Sequence, residues 1–256
     1  MSAVSTSGRR RRRGSHKPKK TAMLLAQQVV SEIADGKLPP GTPLLSERAM
    51  LEEYGVARGS LREALRFLEM QGIITIKTGP GGGPVVNEQS SRHLASILAM
   101  LLQLEHAPFR DVLEARVVLE PALASRAAER ITEDELDALH ESVRRMRANL
   151  HDVDAFLEEN EVFHSIIARA AGNHVFGLVI TSLNWISDAT PLGVDYPEDV
   201  RKSVAKEHGR IYQAIKAREG ARASAAMSVH VSDFAAYVER YYPTIVDAPL
   251  RWDQLD

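Results

Sequence analysis

The stretch from residue 44 to residue 87 constrains the fold more than any other part of the chain. Its first part predicts a short helix beginning at Ser46, because a serine hydroxyl can accept a hydrogen bond from a free amide at a helix start. This helix is expected to end at Gly55, since glycine tolerates the left-handed conformation that often terminates a helix. Val56 and Ala57 then turn the chain toward a second helix.

That second helix is predicted over residues 58–70, because its apolar residues follow the i, i+3, i+4, i+7 spacing of one buried face: Leu61, Ala64, Leu65 and Leu68. Arginine recurs every fourth residue on another face, at Arg58, Arg62 and Arg66. Gly72 is expected to end this helix, residues 73–77 are strand-like, and the glycine-rich residues 79–83 predict a turn. This order of elements is typical of a winged helix-turn-helix, whose second helix enters the DNA major groove.

Arginines at helical spacing are weak support for DNA binding by themselves, because they equally describe a solvated helix face with Glu63 and Glu69 nearby. Three neighbouring features favour the DNA-binding interpretation. These are the predicted hairpin, a preceding helix expected from Thr21 to about Gly36, and a basic N-terminus.

The charge is distributed unevenly along the chain. The net charge is −2, yet residues 1–20 hold eight Lys and Arg and no acidic residue, which leaves 24 basic and 34 acidic residues elsewhere. A +8 segment rich in Ser, Gly and Arg cannot bury a core, so residues 1–20 are predicted to be a disordered tail. Beside a DNA reader it is expected to follow the phosphate backbone or a minor groove. The alternative is an ordinary solubilising tail.

Composition limits the classes of protein that remain. A chain of 256 residues is long enough for a small reader and a second domain with its own core. The absence of cysteine excludes a disulfide framework and thiolate metal sites, and fits a reducing cytoplasm. No apolar run reaches membrane-spanning length, so no membrane association is expected.

The remainder of the chain predicts an all-α bundle of about seven helices after a polar linker at residues 88–92. The helices are expected near residues 91–104, 109–130, 133–149, 152–171, 175–189, 197–218 and 220–241. Residues 132–135 resemble a capping box, which marks a helix start. The predicted organisation is therefore mainly α: a tail at 1–20, a winged helix-turn-helix at 21–88, a helical domain at 89–245 and a C-terminal tail at 246–256.

Four polar residues of the bundle could bind a divalent cation. Asn160 and His164 are four residues apart, so both side chains leave one face of the same helix. His208 and His230 lie on later helices, and neutral imidazoles from three helices with an amide oxygen can converge on a metal. Nine histidines are more often scattered as surface or hydrogen-bonded groups, and that interpretation remains open here.

Arg116 is a further candidate, because it lies on a predicted helix that is otherwise apolar at Val112, Leu113, Val117, Leu119 and Leu123. An inward-facing arginine needs an anionic partner. That partner is either a bound effector or a carboxylate of the chain itself, such as Glu114 or Glu120.

Residues 21–88 resemble the GntR-type bacterial transcription regulators. Two segments carry the likeness, GKLPPGTPLLSER at 36–48 and GVARGSLREAL at 55–65, followed by the glycine-containing hairpin. Leu45 stands where the family usually has proline, and Ala57 and Gly59 replace hydroxyl residues, so operator preference is expected to differ. The resemblance implies that DNA is contacted by Arg48, Arg58, Ser60, Arg62, Thr78 and Gly79.

The second part resembles the FCD effector domain of FadR-type GntR proteins. The likeness rests on EARVVLE at 114–120, ALASRAA at 122–128, the N-x-x-F-H arrangement at 160–164 and AGN at 171–173. The resemblance implies a divalent metal site, with zinc first and nickel or manganese as alternatives, formed by Asn160, His164, His208 and His230. It also implies that Arg116 binds the carboxylate of a small organic acid beside the metal.

Together these features predict a transcription regulator rather than an enzyme. It is expected to bind a pseudo-palindromic double-stranded operator as a homodimer and to act as a repressor released by a small carboxylate metabolite, with activation as the alternative. Two other functions are weighed: a fatty-acyl-CoA sensor without metal, and a metal-dependent hydrolase fused to a DNA reader. Against the hydrolase, Glu161 and Glu207 sit next to predicted ligands but are expected to miss the cavity.

Overall fold

The computed structural model describes residues 17–79, 82–88, 91–188 and 192–254. The chain forms two compact units that divide after residue 90. The basic tail predicted at residues 1–20 falls outside the described residues as far as residue 16. From Lys17 onward the chain is already helical, so the first helix begins four residues earlier than predicted.

The N-terminal unit contains three helices and one hairpin: α1 (Lys17–Asp35), α2 (Glu47–Tyr54), α3 (Arg58–Met70), β1 (Ile74–Lys77) and β2 (Gly83–Val86). The hydroxyl of Ser46 accepts a hydrogen bond from the amide of Ala49 at 3.3 Å, as the sequence predicts for the start of α2. Gly55 ends the helix at φ 60°, in the left-handed region that favours glycine. The winged helix-turn-helix predicted for this part of the chain is confirmed.

The two strands pair antiparallel, with Ile74 opposite Val86 and Lys77 opposite Gly83. Residues 80 and 81, at the predicted hairpin tip, lie outside the described residues. A small core holds the unit together, because α1 and α3 pack against each other and α3 packs against β1. Its fully buried side chains include Met50, Leu61, Leu65, Leu68 and Ile74. The arginine-bearing face of α3 is consequently turned away from this core.

Helices joined by loops make up the described part of the C-terminal unit: α4 (Arg92–Leu104), α5 (Phe109–Arg130), α6 (Glu133–Ala148), α7 (Val153–Ala170), α8 (His174–Ser187), α9 (Glu198–Lys216), α10 (Gly220–Tyr241) and α11 (Pro243–Val246). The ends of the seven long helices differ from the predicted ends by two residues or fewer. Local signals explain this agreement, since Thr132 and Glu135 form the predicted capping box and Asn173 caps α8.

Helix α5 is the centre of this unit, because α7, α8, α9 and α10 all pack against it. The surrounding core is apolar and includes Phe109, Phe156, Phe163 and Met146. Several ionisable side chains are nevertheless buried within it. Because burial of a charged or polar group is costly, each of these side chains needs a hydrogen-bond or charge partner.

The predicted C-terminal tail packs against the bundle over its described residues, 246–254. Val246 and Leu250 are buried, and the amide of Leu250 donates to the carbonyl of Ala107 at 2.9 Å. The indole of Trp252, in a short 3-10 turn (Trp252–Gln254), donates to the hydroxyl of Ser96 at 2.8 Å. None of the described helices is long and apolar enough to cross a membrane.

Candidate metal centre and DNA interface

Three buried histidines converge inside the bundle from three different helices. His164 belongs to α7, His208 to α9 and His230 to α10. The Nε2 atom of His230 lies 3.2 Å from the Nε2 atom of His164 and 3.2 Å from that of His208. One ligand atom from each histidine falls within 4.8 Å of the others. The structure therefore brings together all three histidines that the sequence proposes as ligands.

This geometry fits a divalent transition metal. Zinc binds imidazole nitrogens at about 2.0–2.1 Å, so two nitrogens of a tetrahedral site lie roughly 3.3 Å apart, close to the distances found here. Burial lowers the pKa of His164 to about 4 and holds the pKa of His208 well below its usual value. Both rings are therefore neutral near pH 7, as metal coordination requires.

Two buried carboxylates fix the orientation of two of these rings. Glu120 on α5 accepts a hydrogen bond from Nδ1 of His164, and Glu207 on α9 accepts one from Nδ1 of His230 at 3.0 Å. Because ionised carboxylates are acceptors only, the Nδ1 atoms carry the protons and the lone pairs of both Nε2 atoms face inward. A carboxylate behind a metal-binding histidine is a common arrangement in metalloproteins.

Arg116 is buried beside this cluster, with 6% of its surface exposed. Its Nε donates to Glu120 at 2.6 Å, and its Nη1 donates to the hydroxyl of Ser187 at 2.7 Å. Burial opposes ionisation of Glu120, but the charge of Arg116 and the hydrogen bonds from Arg116 and His164 hold the pKa of Glu120 well below its usual value. The intramolecular ion pair that the sequence left as an alternative is therefore present.

Two amide side chains lie on helix faces that also carry His164 or Ser187. Asn160 is half-buried on α7, one helical turn before His164 and on the same face. Asn184 on α8 is 7% exposed, and both polar atoms of its side chain lack a hydrogen-bond partner among the described residues. Since Ser187 follows Asn184 by three residues, Asn184 lies on the helix face that reaches Arg116.

On the N-terminal unit, the predicted DNA-contacting arginines are exposed. Arg48 on α2 and Arg62 on α3 have side chains 90% and 71% exposed. Arg48 pairs with Glu52 at 3.2 Å and Arg62 with Glu47 at 3.5 Å. Exposed pairs of this kind contribute little stability, so a phosphate can displace them readily. Arg58, at the first turn of α3, is exposed beside a depression of about 550 Å³ in the surface between α2 and α3.

The other predicted DNA contacts, Thr78, Gly79 and Ser60, differ in their exposure to solvent. Thr78 and Gly79 are exposed after β1, and Gly79 adopts a φ of 97° that favours glycine. Ser60 is 8% exposed and faces the core side of α3. Its hydroxyl is therefore less accessible than the sequence led us to expect.

Sequence reasoning missed Glu120 and Glu207 as partners of the histidines. Glu207 was expected to miss the cavity. Its carboxylate lies on the Nδ1 side of His230, away from the clustered Nε2 atoms, and holds the ring through a hydrogen bond to Nδ1. The position of Glu120, four residues after Arg116, signalled an ion pair but gave no indication of His164, which is 44 residues away.

Residues 22–82 match the pattern described as bacterial regulatory proteins, gntR family, and residues 111–233 match the FCD domain. The uncharacterized HTH-type transcriptional regulator YcbG of Bacillus subtilis is 33% identical over 211 residues, covering 81% of this chain and 87% of YcbG. The chain belongs to the GntR family. Its members are transcription regulators, not enzymes.

Two further relatives are named as a transcriptional regulator and a transcriptional repressor. The HTH-type transcriptional regulator LutR of Bacillus subtilis is 28% identical, covering 82% of this chain and 97% of LutR. The galactonate operon transcriptional repressor of Escherichia coli is also 28% identical, covering 74% of this chain and 84% of that protein. The Streptococcus agalactiae GntR structure has a TM-score of 0.65 at 24% identity, covering 84% of this chain and 99% of that one, which supports the fold.

Proposed function

We propose that this GntR-family chain is a repressor that binds a pseudo-palindromic operator as a homodimer in the bacterial cytoplasm. A small carboxylate metabolite binding beside a metal in the helical domain releases it. One observation supports the sensor part of this proposal. The imidazole nitrogens of three buried histidines face one another, and the carboxylate of Glu120 links this cluster to the buried Arg116. A metal and an arginine at adjacent positions suit a ligand that carries two anionic or polar oxygens.

The metal ligands in this proposal are His164, His208 and His230, with Asn160 as a fourth, oxygen ligand. Zinc fits best because it favours nitrogen ligands in a four-coordinate site, while nickel and manganese are the alternatives. When bound, the metal supplies a positive charge to which an anionic oxygen of the effector can bind. Since Asn160 brings no charge, the site should bind its cation less tightly than a site with a carboxylate at that position.

Arg116 is the proposed partner of the effector carboxylate. Its fork of N–H donors matches a carboxylate, and two of its nitrogens are already engaged by Glu120 and Ser187. An incoming acid can bind the remaining N–H donors or replace these hydrogen bonds. The unpartnered amide of Asn184 supports a polar effector, because a hydroxyl or keto oxygen would satisfy it.

The proposed DNA contacts are those implied by the family: Arg48, Arg58, Ser60, Arg62, Thr78 and Gly79. The exposure of Arg48, Arg58 and Arg62 supports direct contact with bases and phosphates. Ser60 would need to act through the small exposed part of its surface.

An exposed apolar stripe on α4 supports the homodimer. Its four residues follow the alternating three- and four-residue spacing of a helix-pairing face: Leu94, Ile97, Leu101 and Leu104. They are 40%, 41%, 54% and 75% exposed. The stripe carries no charge, so it is complementary to its own copy under two-fold symmetry. A dimer would also provide the two reading helices that a palindromic operator requires.

The proposal is tested with the purified full-length chain. Metal content is measured by mass spectrometry, and a panel of small hydroxy and sugar acids is screened for thermal stabilisation with and without a chelator. We expect bound metal and at least one acid whose stabilising effect is lost with the chelator. Absence of metal together with an acid response that chelation does not change would contradict the metal-assisted sensor.

A further inference from the structure

Glu120 is hydrogen-bonded to both halves of the proposed effector site, Arg116 on one side and the histidine cluster on the other. One of its carboxylate oxygens accepts a hydrogen bond from Nε of Arg116 at 2.6 Å. The other accepts from Nδ1 of His164, whose Nε2 belongs to the histidine cluster. With 2% of its surface exposed, Glu120 has no bulk water to replace either partner.

Glu207 offers a natural comparison, because it holds His230 in the same way. Its Oε2 lies 3.0 Å from Nδ1 of His230, while its Oε1 accepts from the hydroxyl of Ser203 at 3.2 Å. The second partner of Glu207 is thus a neutral hydroxyl, whereas that of Glu120 is a charged guanidinium.

The difference has a physical consequence for the histidines. A carboxylate behind a ligating imidazole fixes the ring and raises its basicity, which strengthens metal binding. A cation that shares the same carboxylate withdraws part of its charge, so the support given to the imidazole weakens. The support that Glu120 gives to His164 therefore depends on how strongly Arg116 is engaged with Glu120.

We propose that Glu120 is a positioning residue that couples the two halves of the effector site, so that drawing Arg116 away from Glu120 tightens metal binding at the histidine cluster. This inference rests on the function proposed above. If an effector carboxylate takes over the N–H donors of Arg116, Glu120 is left hydrogen-bonded to His164 alone. By linkage, the acid then raises the affinity for metal and the metal raises the affinity for acid by the same factor.

The first experiment measures the zinc affinity of the full-length chain by competition with a fluorescent chelator. Glu120→Gln and Glu207→Gln each replace a carboxylate by an amide of the same shape. We expect each to weaken zinc binding roughly 10- to 100-fold, as found for residues behind metal ligands. Unchanged zinc affinity in Glu120→Gln would overturn the positioning role.

The second experiment adds Arg116→Met, which removes the guanidinium but keeps an apolar chain of similar length. In the wild-type background we expect tighter zinc binding, from loss of charge repulsion and from release of Glu120. In the Glu120→Gln background, the gain in zinc affinity caused by Arg116→Met should be roughly fivefold smaller, because only the charge repulsion is removed. In the Glu207→Gln background, the same substitution should give the full gain in zinc affinity. Equal gains in all three backgrounds would overturn the coupling.

A third measurement leaves Arg116 in place, in case its substitution prevents folding. The Nε–H proton of a buried, paired arginine is resolved by NMR. Zinc addition should shift this signal of Arg116 in the wild type and in Glu207→Gln, and should not shift it in Glu120→Gln. If Glu120→Gln does not fold, Glu120→Asp, which shortens the reach, should reduce the shift. Equal shifts with and without the Glu120 carboxylate would overturn the coupling.

The outcomes also separate this inference from the function on which it rests. A wild-type chain that takes up no zinc contradicts the metal centre itself, and the coupling with it. A chain that binds zinc with the same dependence on Arg116 in every background retains its metal centre and loses only the role of Glu120.

Discussion

Arg116 and Glu120 lie one helical turn apart on α5 and form a buried ion pair at 2.6 Å. This pair changes what the sequence alone implied for Arg116, because a partner of opposite charge is already present. An effector carboxylate has to share the guanidinium with Glu120 or displace that carboxylate. The affinity of the sensor for its effector is thus expected to depend on the strength of an internal contact as much as on the effector itself.

Replacing Arg116 by Lys is expected to abolish the response to the effector. Lysine keeps the positive charge but lacks the planar fork that binds Glu120, Ser187 and a carboxylate together. Operator binding, followed by fluorescence anisotropy, should persist at acid concentrations that release the wild type. Full release of Arg116→Lys at wild-type acid concentrations would contradict the assignment.

Removing a histidine from the cluster should remove the stabilising effect of the metal. At a zinc concentration 100 times its Kd, binding stabilises the folded state by about 2.7 kcal/mol, so a chelator should lower the Tm of the wild type measurably. His208→Ala should show no such difference between zinc and chelator. His174→Ala, which changes an exposed histidine outside the cluster, serves as control and should behave like the wild type.

Arg58→Ala is expected to remove sequence selectivity in DNA binding. A base-contacting arginine contributes about 1–3 kcal/mol of discrimination, whereas a phosphate contact weakens binding equally for all sequences. Selection from a random duplex library should give a consensus with the wild type and a degraded one with Arg58→Ala. Arg66→Ala removes the same charge farther along α3 and should retain the consensus, which separates base reading from simple charge loss.

Leu101→Glu should convert the proposed dimer to a monomer. A charge at the centre of the α4 stripe would be buried without a partner at a two-fold interface. We expect the dimer dissociation constant to rise about 100-fold, measured by analytical ultracentrifugation, since central interface residues commonly contribute 2 kcal/mol or more. Val118→Glu changes an exposed residue of α5 and should leave the dimer intact. An unchanged assembly state in Leu101→Glu would place the interface elsewhere.

Asn184→Leu is predicted to act on stability and response in opposite directions. Leucine has a similar shape and removes two buried polar atoms that lack partners, so the free energy of unfolding should rise by about 1–3 kcal/mol. The same change removes the amide proposed to receive a polar group of the effector. Denaturant unfolding and the acid concentration needed for operator release provide the two measurements. A variant that is less stable and fully responsive would contradict the proposal.

Much of the fold could be predicted because its signals are local. Ser46, Gly55 and Thr132 mark helix ends through contacts within four residues, so no knowledge of the tertiary structure is needed to interpret them. The i, i+4 relation of Arg116 and Glu120 is local in the same sense. Local signals of this kind set the element order and placed the ends of the seven long helices of the C-terminal unit within two residues.

The contacts that complete the candidate site are not local. Glu120 meets His164 across 44 residues and Glu207 meets His230 across 23. Which face of α5 turns toward α7 depends on the packing of Phe109, Phe156, Phe163 and their neighbours, and a residue pattern does not specify that rotation. The carboxylates behind the histidines could therefore be identified only once the bundle was seen.

The order of the two units along the chain has a consequence for how the protein is made. The core of the DNA reader is complete by Val86, whereas the histidine cluster needs residues as far as His230. At roughly 5–20 residues per second, translation leaves an interval on the order of ten seconds in which the first unit has emerged and the second has not. A newly made chain would thus contain a reading head before it contains the proposed effector site.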